Sequence, residues 1–154
     1  MNESIKAVHL AHTSGALSDV SAFGSSSAAR AAAFHRGLPD YEPTPLADLR
    51  RLSAGLGLGR IAVKDESKRF GLNAFKALGA SYAVARYLAQ DLGIPESEMT
   101  YESLQKPEYR ERLRSVTLVT ATDGNHGRGI AWTAKLFGLF AHVFMPKGGS
   151  PERL

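Results

Sequence analysis

The sequence has no cysteine among its 154 residues. That excludes a disulfide framework, a thiolate metal site and a cysteine nucleophile, and it fits the cytoplasm, where thiols stay reduced. Long apolar runs are also missing. The most apolar stretch, 129–146, follows Arg128 and is interrupted by Lys135, so it is too broken to span a bilayer. Residues 1–11 contain Lys6 and His9 without a sustained apolar centre and do not read as a secretory signal. Charge of one sign is scarce. Nineteen Lys and Arg stand against 15 Asp and Glu, and no five or six basic residues run together, which argues against a nucleic-acid partner. A modest positive balance does suit a small ligand bearing phosphate or carboxylate groups.

What is present is ordinary for a globular enzyme. Hydrophobic residues make up 44% and charged residues 22%, enough for one domain with its own core. Residues 12–33 are rich in Ser, Ala and Gly and predict a loop passing into a short helix near 28–35. Around Pro43 and Pro45 the chain must be extended, and 46–56 predicts a short helix stopped by Gly55, Gly57 and Gly59. Residues 60–65 predict a buried strand. A helix is expected over 75–90, with Leu78, Tyr82, Ala85 and Ala89 on one face. Residues 94–114 suggest one or two surface helices. Then come a strand at 116–120, a helix at 125–136 ended by Gly138, and a strand at 140–145. Pro151 and Glu152 resemble the start of another helix. Strand, helix, strand, helix, strand predicts a parallel α/β sheet, and the unit looks incomplete at Leu154.

Two segments carry chemistry, each expected to follow a strand and open a helix, where α/β sheets bind ligands. The first is 64–80, with Lys76 in the first turn of its helix. The positive end of the helix dipole would depress the amine pKa, and a neutral amine forms Schiff bases. Gly79 would leave room for close approach. Taken alone, Lys76 is more simply a solvated helix lysine. The second segment is 120–129, in which Asp123 could act as base and Asn125 as a hydrogen-bonding anchor. The plainer alternative is a turn with Asn125 capping the helix. Gly124, Gly127 and Gly129 have the wrong spacing for a dinucleotide fingerprint, and no phosphate-loop Gly-Lys-Ser/Thr occurs.

Together the segments resemble the fold type II pyridoxal-phosphate enzymes, the group of the tryptophan synthase β-subunit and the threonine dehydratases. Phe75-Lys76, Gly124-Asn125-His126 and the Pro-Thr-Pro-Leu at 43–46 match at suitable separation. Within that group the runs 64–76 and 122–132, with Met145-Pro146-Lys147-Gly148, are similar to the diaminopropionate ammonia-lyases. Threonine dehydratases usually have Ser or Ala-Gly where this chain has Asp123-Gly124. The resemblance covers roughly residues 34–154. It implies an α/β chain, a partial fold type II fold with parallel strands alternating with helices, truncated before the later strands. Residues 1–33 would be an N-terminal extension and 34–154 an incomplete cofactor domain.

The resemblance also implies roles. Lys76 would bind pyridoxal 5'-phosphate covalently and move the Cα proton. Asp123 would be the acid/base group on the opposite side. Asn125 would bond the cofactor's 3-oxygen, with Phe75 and Gly124 beside it. The expected reaction is α,β-elimination of 2,3-diaminopropionate to pyruvate and ammonia. A serine or threonine dehydratase, or an inactive fragment, is the alternative. A small amino acid would be the substrate, the full-length enzyme would be a homodimer, and no nucleic acid, membrane or metal would take part. His126 is expected at the helix start or behind the site, and Trp132 in the core. His9 and His12 have helical spacing but no acidic partner, so little metal character. Lys64, Asp65, Glu66, Lys68 and Arg69 either shape the substrate entrance or make surface salt bridges. The family's glycine-rich phosphate loop and its partner for the pyridine nitrogen would lie downstream. Gly148-Gly149-Ser150 is too short and wrongly placed to be that loop.

Overall fold

The structure, a computed structural model, describes residue 20 and residues 23–148. His9, His12, most of the expected extension and the turn into Pro151 therefore lie outside the described residues. The first helix, α1 (Ser25–Arg36), is longer than expected and contains the boundary expected between 33 and 34. Its alanine-rich sequence favours helix. His35 and Arg36 sit in its last turn, where cations suit the dipole.

Strand β1 (Leu46–Asp48) pairs antiparallel with β2 (Ala62–Lys64), Leu46 opposite Lys64 and Asp48 opposite Ala62. A short helix, α2 (Arg50–Gly55), joins them. Two expectations are corrected here. The helix expected from Leu46 gives up its first three residues to the strand. The strand at 60–65 is exposed rather than buried, and it pairs with β1 instead of joining the later strands. The chain turns back on itself through α2, which lays Ala62–Lys64 alongside Leu46–Asp48 in the opposite direction.

After β2 the chain coils through Arg69–Gly71 into α3 (Lys76–Asp91). Two short helices follow, α4 (Tyr101–Leu104) and α5 (Arg110–Arg114). The parallel unit is β3 (Thr117–Ala121), α6 (Asn125–Phe137) and β4 (Phe140–Phe144), with Thr117 opposite Phe140 and Ala121 opposite Phe144. Gly138, in the left-handed region at φ 71°, ends α6 as its spacing predicted.

Helices α3 and α6 make the closest seam of the molecule. Along α3 the buried stripe is Ala77, Ala80, Ser81, Val84, Ala85, Leu88 and Ala89. It overlaps the expected face at Ala85 and Ala89, while Leu78 and Tyr82 are half-buried beside it. Small side chains let the backbones approach. Ser81 and Thr133 are fully buried and donate to the carbonyls of Leu78 (3.1 Å) and Gly129 (2.8 Å), so neither hydroxyl is stranded. Beyond the seam, Phe34, Leu38, Leu88, Met99, Leu104, Leu113, Phe137 and Leu139 form one apolar cluster. Each of its large side chains contributes roughly 1.5–3 kcal/mol by leaving water.

Candidate active site

The site is built from two helix starts. Lys76 is the first residue of α3 and is exposed, with Phe75 before it, 61% exposed. Leading in, Phe70 (φ 49°), Gly71 (φ 69°) and Asn73 (φ 54°) are all in the left-handed region. Asn and Gly visit that region readily; Phe does so at a cost.

The other start follows β3. Thr122 still belongs to the ladder, its N–H donating to Phe144 O at 2.9 Å. Its hydroxyl accepts from the N–H groups of Gly124 (3.2 Å) and Gly127 (3.3 Å). This replaces the cap expected from Asn125, which is instead the first residue of α6 and exposed. Gly124 is the N-cap, buried, with φ 157° and ψ −102°, a combination that a side chain would forbid. Asp123 and His126 are exposed on either side of this junction.

Gly129 brings the two starts together. A β-carbon there would lie 3.2 Å from Lys76 C and Ala77 N and 3.3 Å from Lys76 O. The backbone of α6, one turn past Asn125, thus rests on the backbone of Lys76. A β-carbon at Gly79 would meet nothing within 4 Å, so the space beside that glycine is open. Gly127 is constrained as well, since its β-carbon would fall 2.5 Å from Thr122 Cγ2 and 2.6 Å from Val143 Cγ1.

Within the charged loop 64–69, the ion pair of Arg69 with Glu66 is folded inward rather than lying on the surface. Arg69 is 4% exposed and donates to Glu66 from Nε (2.8 Å) and Nη2 (3.1 Å), to Thr44 Oγ1 (3.0 Å) and to the Glu42 carbonyl (2.7 Å). Thr44 in turn donates to Glu66, and Lys64 to the Thr44 carbonyl. Bonding from Arg69 holds the Glu66 carboxyl below the usual carboxylate range, and Glu66 raises the guanidinium correspondingly. Phe70 stacks on Trp132 of α6, with centroids 4.4 Å apart. Trp132 is therefore half-buried at a loop–helix contact rather than simply core. A cleft of about 540 Å³ opens beside Thr44, Arg69, Phe70 and Trp132, and Lys76 does not line it. On the other side of α3, His35 Nε2–H donates to the Leu78 carbonyl at 2.8 Å, and burial lowers the ring's pKa.

Sequence reasoning missed Thr122, Gly127, Gly129, His35 and the Arg69 network. A signal existed for the glycines, because each weakens a helix interior by about 1 kcal/mol relative to Ala and so asks for a packing reason. Among the described residues no group of three or more His, Cys, Asp or Glu could hold a metal. None of their helices is long and apolar enough to cross a membrane.

An amine at one helix start, with a carboxylate and a carboxamide at the start packed against it, suits an aldehyde cofactor: the amine can condense, the amide can donate to a ring oxygen, and the carboxylate can exchange protons. The profile of the family described as "Pyridoxal-phosphate dependent enzyme" matches residues 38–154, and the chain belongs to that family. It is 56% identical over 118 residues to the diaminopropionate ammonia-lyase of Salmonella typhimurium, covering 77% of this chain and 29% of that protein. The apo crystal structure of the Escherichia coli diaminopropionate ammonia-lyase superposes with a TM-score of 0.77 at 44% identity, covering 85% of this chain and 35% of that one. The same enzyme in complex with D-serine gives 0.72 at 43% identity, covering 85% and 33%. The chain thus spans about a third of the length of these relatives. They place it in a partial fold type II fold, as the resemblance implied.

Proposed function

We propose that this chain carries the cofactor lysine and the opposing acid/base group of an ammonia-lyase acting on 2,3-diaminopropionate. The observation that carries the proposal is the seating of Gly129 on Lys76 and Ala77, which sets Asp123 and Asn125 at the start of the helix that touches the lysine's own backbone. Identity of 56% to a diaminopropionate ammonia-lyase supports the choice of substrate.

In this reading Lys76 holds pyridoxal 5'-phosphate through its amine, Asn125 donates to the ring's 3-oxygen, and Phe75 packs beside the ring. Gly124 supplies the turn between Asp123 and Asn125. When bound, the cofactor supplies an electron sink that stabilises negative charge at the substrate Cα. Once the substrate amine has freed its own, Lys76 would take or return the Cα proton from one side and Asp123 from the other. Two bases on opposite faces serve both enantiomers. Overall, one water is consumed and each diaminopropionate yields pyruvate and two ammonia. The full-length enzyme works as a cytoplasmic homodimer, a reading supported by the cysteine-free composition and the resemblance.

The test has two parts. The chain is incubated with pyridoxal phosphate, reduced with borohydride and digested. The expected result is cofactor mass on the peptide containing Lys76, absent in Lys76→Ala. In the full-length enzyme, Asp123→Asn should lower turnover by roughly 10²–10⁴-fold, the usual worth of a positioned proton-transfer group, with unequal effects on the two enantiomers. A Lys76 left unmodified when the full-length enzyme is treated in the same way sinks the lysine assignment. The Escherichia coli enzyme has been crystallised in complex with D-serine, so serine is the comparison to run, and pyruvate release from diaminopropionate should exceed that from serine.

A further inference from the structure

We propose that Arg69 is a positioning residue: its buried guanidinium fixes the path of the Phe70–Phe75 loop and, through the Phe70–Trp132 stack, seats the start of α3 against α6. The consequence for Lys76 rests on the function proposed above; the mechanical claim does not.

Three groups from two stretches of chain meet on this side chain. Glu66 lies at the exit of β2, while Thr44 and the Glu42 carbonyl lie in the extended segment before β1. The planar fork addresses all three at once, which a lysine ammonium on its flexible stem does not do with fixed direction. The same guanidinium lies 5.2 Å from the Tyr41 ring centroid and 5.7 Å from that of Phe70. Phe70 is the strained member of the loop, left-handed at φ 49° and ψ 23° despite its bulk. The Arg69 guanidinium and the Trp132 ring both lie against it. Trp132 follows Gly129 by three residues on α6, so the stack and the Gly129 seat pin the same stretch of that helix.

Stability alone does not call for such a residue. A buried ion pair is often no better than apolar packing of the same volume, because desolvation offsets the attraction. What the fork adds is direction. Because Phe70 follows Arg69 in sequence, fixing Arg69 fixes where the loop turns.

The chain carries its own reporter, since Trp132 is its one tryptophan. Leu72 N–H, which donates to the Arg69 carbonyl at 2.8 Å, reports the loop by hydrogen exchange. In Arg69→Lys the Trp132 emission should shift to the red, with greater quenching by acrylamide. Protection at Leu72 should fall roughly tenfold, the effect of losing one charge-assisted hydrogen bond. Val84–Ala89 should keep their protection. Spectra are taken on the folded baseline established by thermal melting. Wild-type Trp132 emission and Leu72 protection in Arg69→Lys overturn the proposal, as does a uniform fall along α3. If that variant does not fold, Phe70→Leu removes the stack and keeps the guanidinium. It should expose Trp132 and loosen Leu72, and an unchanged Leu72 overturns the proposal. Borohydride labelling of Lys76 by pyridoxal phosphate should slow about tenfold in Arg69→Lys, by the same loss. If the wild-type chain takes no label, that result bears on the cofactor site alone, and Trp132 and Leu72 decide on Arg69.

Discussion

At the scale of single residues, two helix glycines show how packing decides the sign of one substitution. Replacing Gly by Ala inside a helix is worth up to about 1 kcal/mol when there is room. Gly79 has that room, so Gly79→Ala should raise the melting midpoint of the chain. Gly129 does not, because the new methyl would press on the Lys76 carbonyl and the Ala77 nitrogen, and backbone cannot step aside as a side-chain tip can. Gly129→Ala should destabilise by roughly 1–3 kcal/mol and slow labelling of Lys76 by pyridoxal phosphate. Parallel melts of the two variants check the pair, and equal shifts would refute it. Thr122→Val keeps the shape and removes the acceptor of two N–H groups at the start of α6. The expected loss is about 1–2 kcal/mol, the worth of a helix cap, read as a lower urea midpoint at unchanged slope.

At the scale of elements, α1 is tied to the first turn of α3 by His35, whose Nε2 must carry the proton because its partner is a carbonyl. Burial favours the neutral ring and lowers its pKa from 6.5. The unfolded chain then binds more protons than the folded one between that lowered value and 6.5, so stability is held above pH 6.5 and declines as pH falls below it. Glu66, lowered from 4.5 by Arg69, adds a second decline at more acid pH, as its carboxylate is protonated. Urea unfolding from pH 7.5 to about 3 should show both, and His35→Gln should flatten only the first. None of this coupling could be read from the sequence, where His35 is one residue in an alanine-rich run. What could be read were features with a local cause: the period of α3, the β-branched run of β3 and the glycine that ends α6. Lys76, Asp123 and Asn125 stood out because long motifs tie them to a family. Strand β1 was hidden because three residues carry little pattern, and their partners lie fourteen to eighteen positions on. The Arg69 network escaped because a run of charges looks the same whether solvated or folded inward, and only the position of Thr44 and Glu42 decides between them.

At the scale of the whole chain, β3 and β4 present one face to the helices and leave the other open. Leu118, Thr120, Ala141 and Val143 point inward and are half-buried, whereas Val119, Phe140 and Phe144 are exposed. The register sets Val119 opposite His142, with Phe140 and Phe144 two positions to either side on the same strand, so the exposed side chains form one patch rather than scattered points. Among the described residues each of the two strands has one neighbour, leaving both outer edges unpaired. Apolar patches and free edges of this kind drive association between copies. The 154-residue chain should therefore bind an apolar dye, sediment as larger species as concentration rises, and melt over a broad range. Val119→Lys and Phe144→Lys place charge on the open face without entering the core. They should restore a monomer and cut dye binding while leaving the urea midpoint near its original value. If the unmodified chain sediments as a monomer at all concentrations and melts in one sharp transition, the open face has no such consequence, and the helices alone hold this unit together.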